Sequence, residues 1–187
     1  MEKQQIKQLT KEILKENNII TKEQIDTIKI SEKNGLKVGS CIMKSTDIGA
    51  LIYSEYKKHK KIEVNKSIAV AYDQKFEVKR LIIAYLLGMF FLEKTENQKI
   101  FAAKIEDENQ LYENTKSAYF ARNLLVPEEM LLESMSKLRK EQNMDISDTC
   151  TILSKEYNVP FITIVQRLEE LNMIKHNEPK AKIRTRK

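Results

Sequence analysis

The chain has 187 residues, of which 41% are hydrophobic and 32% are charged, and its formal net charge is +6. That length suits one domain with enough apolar material for a core, which excludes a wholly disordered chain. Two cysteines without CxxC spacing exclude a disulfide framework and a cysteine zinc finger, and they are typical of a reducing cytoplasm. The longest apolar run, 81–92, is too short to span a bilayer, and the polar start is unlike a signal peptide. We therefore expect a cytoplasmic protein without membrane contact.

The first part of the chain predicts two helices and then a small sheet. Apolar residues at helical spacing indicate a helix over 3–16. The segment 21–24 has the T-x-x-Q form of a capping box and predicts a second helix with Ile25 and Ile28 facing inward. After the turn signal Asn34-Gly35, the pattern is typical of three short strands and a possible fourth. These strands are expected over 36–44, 48–56, 62–65 and 68–72.

The remainder of the chain predicts helices alone. Helical periodicity and the position of Pro127 indicate five of them, over 76–92, 108–125, from 127 onward, 148–157 and 161–172. We therefore expect an α+β fold in which a small antiparallel or mixed sheet packs against several helices. One domain is expected over 1–174, with 153–174 as a closing helical pair, and 175–187 as a basic, disordered tail.

Most sequence motifs of catalysis are missing. The chain has no HExxH, no Walker A loop, no GxGxxG and no GxSxG, and its two histidines, His59 and His176, are far apart. His59 lies in the segment EYKKHKK, which is typical of a solvated surface turn. The chain does contain three other motifs, and these make the absence of a metal-binding motif informative.

These three motifs are IEVN at 62–65, RLIIAYLLGM at 80–89 and KSAYFARNLLVP at 116–127. In order and spacing they resemble the ImmA/IrrE family of bacterial metallopeptidases, which has a strand ending in VN, a helix RFTIAHELGH and a helix EANxFAxxLLMP. The opening helices and the closing segment 153–174 resemble the family too, so the resemblance covers roughly residues 6–174. It implies a zincin-like minimal domain.

The resemblance also implies a zinc site, from which this chain departs at every position. In the family, two histidines and a downstream glutamate bind zinc, and the glutamate between the histidines is the general base. Carried over position by position, these groups fall on Tyr85, Met89, Lys116 and Leu86 respectively. A thioether is a poor zinc ligand, a leucine cannot accept a proton, and a lysine ammonium repels the metal. We expect no intact catalytic site and no bound zinc.

Two nearby carboxylates leave an alternative open. Glu93 and Glu113 lie about one helical turn away, and isolated carboxylates suit a hard cation better than zinc. They are the candidate ligands of a metallopeptidase with an atypical site. If Tyr85 is buried, its hydroxyl needs a partner, for which Glu113 and Lys116 are candidates. Without a metal, the helix over 76–92 is an ordinary core helix.

A second alternative is that the closing pair reads DNA as a helix-turn-helix. The second helix of the pair begins with the apolar segment Phe-Ile-Thr-Ile-Val and has one basic residue, Arg167. This composition favours a helical hairpin that closes the core. The tail can add non-specific phosphate contacts from Lys180, Lys182, Arg184 and Arg186. Residues 175–187 hold six Lys or Arg and one acid, which leaves a nearly neutral body with 27 basic and 26 acidic residues.

What the resemblance implies about function is a regulatory context. Family members often accompany a helix-turn-helix repressor in mobile elements, and active members cleave that repressor. A member without a working site can still bind the same partner, since recognition and metal binding are separable. The expectation is therefore a pseudoenzyme, a non-catalytic protein that binds a helix-turn-helix regulator of a prophage or other mobile element.

Overall fold

The computed structural model describes residues 1–43, 47–58, 61–95, 98–141 and 144–175. Within these ranges the chain forms seven α-helices, two 3₁₀ turns and four strands, and the predicted α+β class is confirmed. In chain order they are α1 Lys3–Glu16, a 3₁₀ turn Lys22–Gln24, α2 Thr27–Lys33, β1 Lys37–Cys41, β2 Gly49–Lys58, β3 Lys61–Ala71, α3 Phe76–Glu93, β4 Ile100–Ile105, a 3₁₀ turn Glu108–Tyr112, α4 Lys116–Leu125, α5 Glu128–Glu141, α6 Ile146–Tyr157 and α7 Phe161–Glu170.

The sheet is mixed and has the strand order β1-β3-β2-β4. β1 runs parallel to β3, whereas β2 is antiparallel to both β3 and β4. The two strands predicted over 62–65 and 68–72 are one continuous strand, β3. The sequence pattern does not predict β4, because the residues IFAAKI alternate in exposure but not in hydrophobicity.

The helix α3 forms the centre of the core. It is buried at Val78 and at every position from Arg80 to Gly88. One side packs on the sheet, where β2 starts so close that a Cβ on Gly49 would lie 2.6 Å from Ile82 Cγ2. The helix also packs against α4. A helix that is apolar all round is thus explained by neighbours on several sides.

Several element boundaries differ from those predicted. The second helix begins at Thr27, because Asp26 caps it by accepting from the backbone N–H groups of Ile28 and Lys29. As a result Ile25 is buried, but Ile28 is 45% exposed rather than inward. The helix predicted over 108–125 is interrupted between its 3₁₀ turn and α4, and the last two helices run over 146–157 and 161–170.

Several sequence features fall outside the residues that the structure describes. Both histidines, His59 and His176, are among them, as is the tail beyond Lys175 with its four candidate phosphate contacts. Among the helices of the described segments, none has both the length and the apolar character needed to cross a membrane.

Candidate functional site

The helices α3 and α4 meet in close contact at Gly88. A Cβ at this position would lie 3.0 Å from the backbone oxygen of Ser117 and 3.1 Å from Phe120 Cδ1. Only a residue without a side chain allows the two backbones to approach so closely. The contact holds the first turn of α4 against the C-terminal half of α3, where the candidate site residues lie.

The four positions carried over from the zinc site lie around this contact. Tyr85 is 7% exposed, Leu86 is fully buried, and Met89 is half-buried on α3. Lys116 is exposed at the start of α4. Its two chain neighbours reach α3, since Thr115 Oγ1 lies 3.5 Å from the Tyr85 hydroxyl and Ser117 donates to Glu93 at 3.0 Å. The start of α4, which carries Lys116, therefore lies against the part of α3 that carries the other three positions.

The partner predicted for the Tyr85 hydroxyl is wrong. The contact is with Thr115, over a long distance of 3.5 Å, and not with Glu113 or Lys116. Thr115 is the N-cap of α4, and its hydroxyl oxygen also accepts from the backbone N–H of Ala118 at 3.1 Å. The sequence contains the signal for this cap, a threonine before an apolar helix, but not its proximity to Tyr85.

The residues at this site do not fit a zinc ion. A phenol, a leucine, a thioether and an ammonium group offer none of the imidazole, thiolate or carboxylate ligands that zinc takes in proteins. The side chain of Lys116, through hydrogen bonding and then through its charge, lowers the pKa of the Met1 α-amino group. The third ligand position therefore holds a cation, which repels a metal ion.

The two alternative carboxylates are both exposed and do not converge into a metal-binding group. Glu93 accepts from Ser117, and Glu113 follows the second 3₁₀ turn, where its backbone N–H bonds to Gln110. Throughout the described ranges, no cluster of three or more His, Cys, Asp or Glu residues is placed to hold a metal ion.

Sequence reasoning missed the buried charge at the start of α3. Arg80 is 9% exposed and donates to the backbone oxygens of Tyr157, Asn158 and Ile25 at 2.6, 2.9 and 2.8 Å. Burial lowers the pKa of its guanidinium group. These bonds attach α3 to the end of α6 and to the segment before α2. An arginine at the start of an apolar helix is the available sequence signal, but it does not identify the acceptors.

The closing pair buries the residue that was proposed to read DNA. Arg167 is 1% exposed, and its Nε donates to the backbone oxygen of Val126 at 3.0 Å. Its Nη1 contacts Glu170 at 3.2 Å, and Glu170 also binds Arg122 at 2.7 Å. The prediction of a nucleic-acid contact by Arg167 is wrong in this structure, because the guanidinium joins α7 to the end of α4 inside the core.

Comparison with known protein families finds a match over most of the chain. The peptidase M78 family model, described as the IrrE N-terminal-like domain, matches residues 32–169. The matched region extends from the end of α2 to α7 and contains both helices of the site. No curated protein matches the chain.

Proposed function

The chain belongs to the family of IrrE N-terminal-like domains, a metallopeptidase-type fold, and from that premise we propose that it is a non-catalytic regulatory protein. In this proposal the chain binds a helix-turn-helix transcription regulator of a prophage or another mobile element. It does so through the retained scaffold and does not cleave its partner.

The observation that carries the proposal is the chemistry at the α3–α4 contact. Peptide hydrolysis by a zincin needs a metal to polarise the carbonyl group and a base to activate water. Leu86, at the position of the base, is fully buried and cannot accept a proton. Tyr85 and Met89 pack into or against the same core, which gives the former ligand face a structural role. Loss of all four groups leaves nothing at the site to perform either step.

The proposed partner rests on the family context. Active members are expected to recognise a helix-turn-helix repressor before they cut it, and recognition can persist after the metal ligands are gone. A protein of this kind can sequester its partner or hold it in one state without altering it covalently.

The experiment is co-expression of the chain with the helix-turn-helix regulator encoded nearest to its gene. We expect a complex that survives size-exclusion chromatography, an uncut regulator by mass spectrometry, and less than stoichiometric zinc in the purified chain. Stoichiometric zinc together with a cleaved regulator would refute the proposal. A regulator that neither binds nor is cut would refute the choice of partner.

A rebuilt variant provides the matched control for the metal measurement. The substitutions Tyr85→His, Leu86→Glu, Met89→His and Lys116→Glu restore the four family residues on the same two helices. We expect zinc to raise the melting temperature of this variant and to leave that of the unmodified chain unchanged, since a ligand stabilises only the folded state that binds it.

The alternative of an atypical metallopeptidase makes a different prediction. If the unmodified chain cuts the regulator and chelators stop the reaction, Glu93→Gln and Glu113→Gln variants should each remove activity. Full activity in both variants would exclude these carboxylates as ligands.

A further inference from the structure

A cavity of about 470 Å³ lies between the start of α2, the strand β1 and the first turns of α3. Its volume is in the range that small-molecule ligands occupy. Most of its wall is apolar, and the residues that form this part are Ile25, Ile28, Val38, Val70, Phe76 and Ile83. The four positions carried over from the zinc site do not line it. The cavity is therefore a candidate binding site separate from the α3–α4 contact.

The wall that β1 forms is open to a ligand. β1 lies at one edge of the sheet and pairs, among the described strands, with β3 alone. Val38 and Ser40 are opposite Ile68 and Val70, which are buried under the helices. Val38 is nevertheless only half-buried, and Ser40 is exposed. The helices therefore leave this face of β1 uncovered, and the Ser40 hydroxyl is available to bond to a ligand.

The cavity reaches a buried cation that has no carboxylate partner. Arg80 lines the cavity, and only 9% of this residue is exposed. Three of the five N–H groups of its guanidinium donate to the backbone oxygens described above. Within the described part of the chain, its Nε–H has no acceptor and no carboxylate lies at ion-pair distance. Carbonyl oxygens satisfy hydrogen bonds without neutralising the charge, so a bound anion would supply what the protein lacks.

A second cation adjoins the first. Lys79 also lines the cavity and donates to the backbone oxygen of Tyr72 at 2.7 Å, with its ammonium 5.4 Å from the centroid of that ring. No carboxylate of the described segments forms an ion pair with it. The first turn of α3 adds to the positive potential, because its N-cap, Lys75, makes no side-chain bond to the turn and Phe76 lines the cavity.

The acidic residues at the cavity have cationic partners of their own. Glu23 lies 3.9 Å from Lys22, and Asp26 lies 3.8 Å from Lys29. The charge of Asp26 partly offsets the effect of burial on the pKa of Arg80, although its carboxylate is beyond ion-pair distance. Each of these acids is matched by one cation, so the two cations on α3 give the cavity a net positive charge.

We propose that this cavity binds a small organic carboxylate with an apolar body. The carboxylate lies between Lys79 and Arg80, where charge-assisted hydrogen bonds are strong. The body packs against the apolar wall and leaves water, which provides the rest of the affinity. This inference uses none of the residues of the α3–α4 contact, and it stands whether or not the chain binds a transcription regulator.

The test compares two probes that have the same body, 4-phenylbutyrate and 4-phenylbutan-1-ol, by isothermal titration calorimetry on the full chain. We expect 4-phenylbutyrate to bind at least roughly tenfold more tightly, because only this probe carries a charge for the two cations. It should also raise the melting temperature, since it binds the folded state alone. Equal affinities for the two probes, or no binding of 4-phenylbutyrate at millimolar concentrations, would overturn the proposal.

Lys79→Gln removes one cation and keeps a side chain that can still donate a hydrogen bond. We expect about three- to tenfold weaker binding of 4-phenylbutyrate and unchanged binding of 4-phenylbutan-1-ol. Lys15→Gln, at an exposed lysine on α1, is the matched control and should change neither affinity. If Lys79→Gln weakens both probes equally, the residue acts through the shape of the cavity and the proposed role of its charge is wrong.

A second variant tests the site without removing either cation. Ile28 is 45% exposed at the cavity, and Ile28→Glu places a negative charge beside the bound carboxylate. We expect more than about tenfold weaker binding of 4-phenylbutyrate, because like charges repel in a partly desolvated site. Leu132→Glu, at a residue of α5 that is 46% exposed, makes the same change elsewhere and should have no effect on affinity. Equal affinity in the two variants would place the probe outside this cavity.

A third probe separates a small ligand from the end of a polypeptide. An acetylated pentapeptide that ends in phenylalanine carries a free carboxylate beside an apolar ring. We expect it to bind no more tightly than 4-phenylbutyrate, because the cavity has the volume of a small molecule. If the pentapeptide binds more than about tenfold more tightly, the cavity takes the C-terminus of a protein through the edge of β1, and the assignment to a small carboxylate is wrong.

Discussion

The contact of α3 with α4 and the contact of α7 with the end of α4 are stabilised in different ways. At the first contact, apolar packing replaces a motif associated with metal binding, with Leu86 fully buried and the two backbones in close approach at Gly88. At the second contact, the buried guanidinium of Arg167 donates to the backbone oxygen of Val126 and pairs with Glu170. The comparison teaches that a motif does not show whether its residues are available for binding.

The difference predicts losses of stability of different size. Removal of the buried cation should cost more free energy of unfolding than a methyl group added where the two backbones approach. Substitutions at Arg167, Tyr157 and Gly88 test this order, and each can be measured on the full chain.

The largest effect is expected at the buried arginine of α7. Arg167→Ala should lower the free energy of unfolding by about 3 kcal/mol, because it leaves the Val126 carbonyl unpaired and removes one of two cations from Glu170. Urea denaturation measures the loss. Lys155→Ala, an exposed substitution on α6, is the control and should stay within about 0.5 kcal/mol.

The same variant tests the rival function of the closing pair. Arg167→Ala should bind duplex DNA as the unmodified chain does, at a temperature where both are folded. A variant of unchanged stability that no longer binds DNA would mean that Arg167 is exposed to the nucleic acid, contrary to its burial here.

A buried tyrosine should make stability depend on high pH. Burial raises the pKa of Tyr157 to about 12, against an ordinary value of about 10. The neutral phenol is therefore favoured in the folded state, and its contribution is complete below pH 10 and lost as pH rises through about 12. The loss is roughly 2–3 kcal/mol at about 1.4 kcal/mol per pKa unit.

The measurement compares the unmodified chain with Tyr157→Phe in urea at several values of pH. The variant loses the hydrogen bond with Ser134, 3.2 Å away, and should be about 1 kcal/mol less stable at neutral pH. The difference between the two chains should shrink and then reverse between about pH 10 and 12. A difference that stays constant over this range would show that the phenol does not resist ionisation.

A smaller effect is expected where the two helices of the site touch. Gly88→Ala should cost about 1–3 kcal/mol, because the new methyl group would meet the backbone of Ser117 at 3.0 Å and this neighbour cannot rotate away. Gly39→Ala is the matched control, since a Cβ there has no heavy atom within 4 Å. Equal stability of the two variants would mean that α3 and α4 are less closely packed than described.

The sequence predicts the elements of this fold better than it predicts their contacts. Periodicity places α1 and α3 correctly, and the turn at Gly35 has the positive φ of 75° that its glycine suggests. The sequence does not show that Arg167 is buried, because its acceptor, Val126, is 41 positions away in the chain. Charged residues are usually exposed, so composition alone favours the wrong environment for Arg167.

For the candidate site, too, the sequence predicts the residues better than it predicts their contacts. The resemblance identifies Tyr85, Leu86, Met89 and Lys116, and α3 and α4 bring these positions together. The contact between Thr115 and Tyr85 could not be predicted from the sequence, because the two residues are 30 positions apart in the chain. Only the packing of α4 against α3 brings their hydroxyl groups to a distance of 3.5 Å.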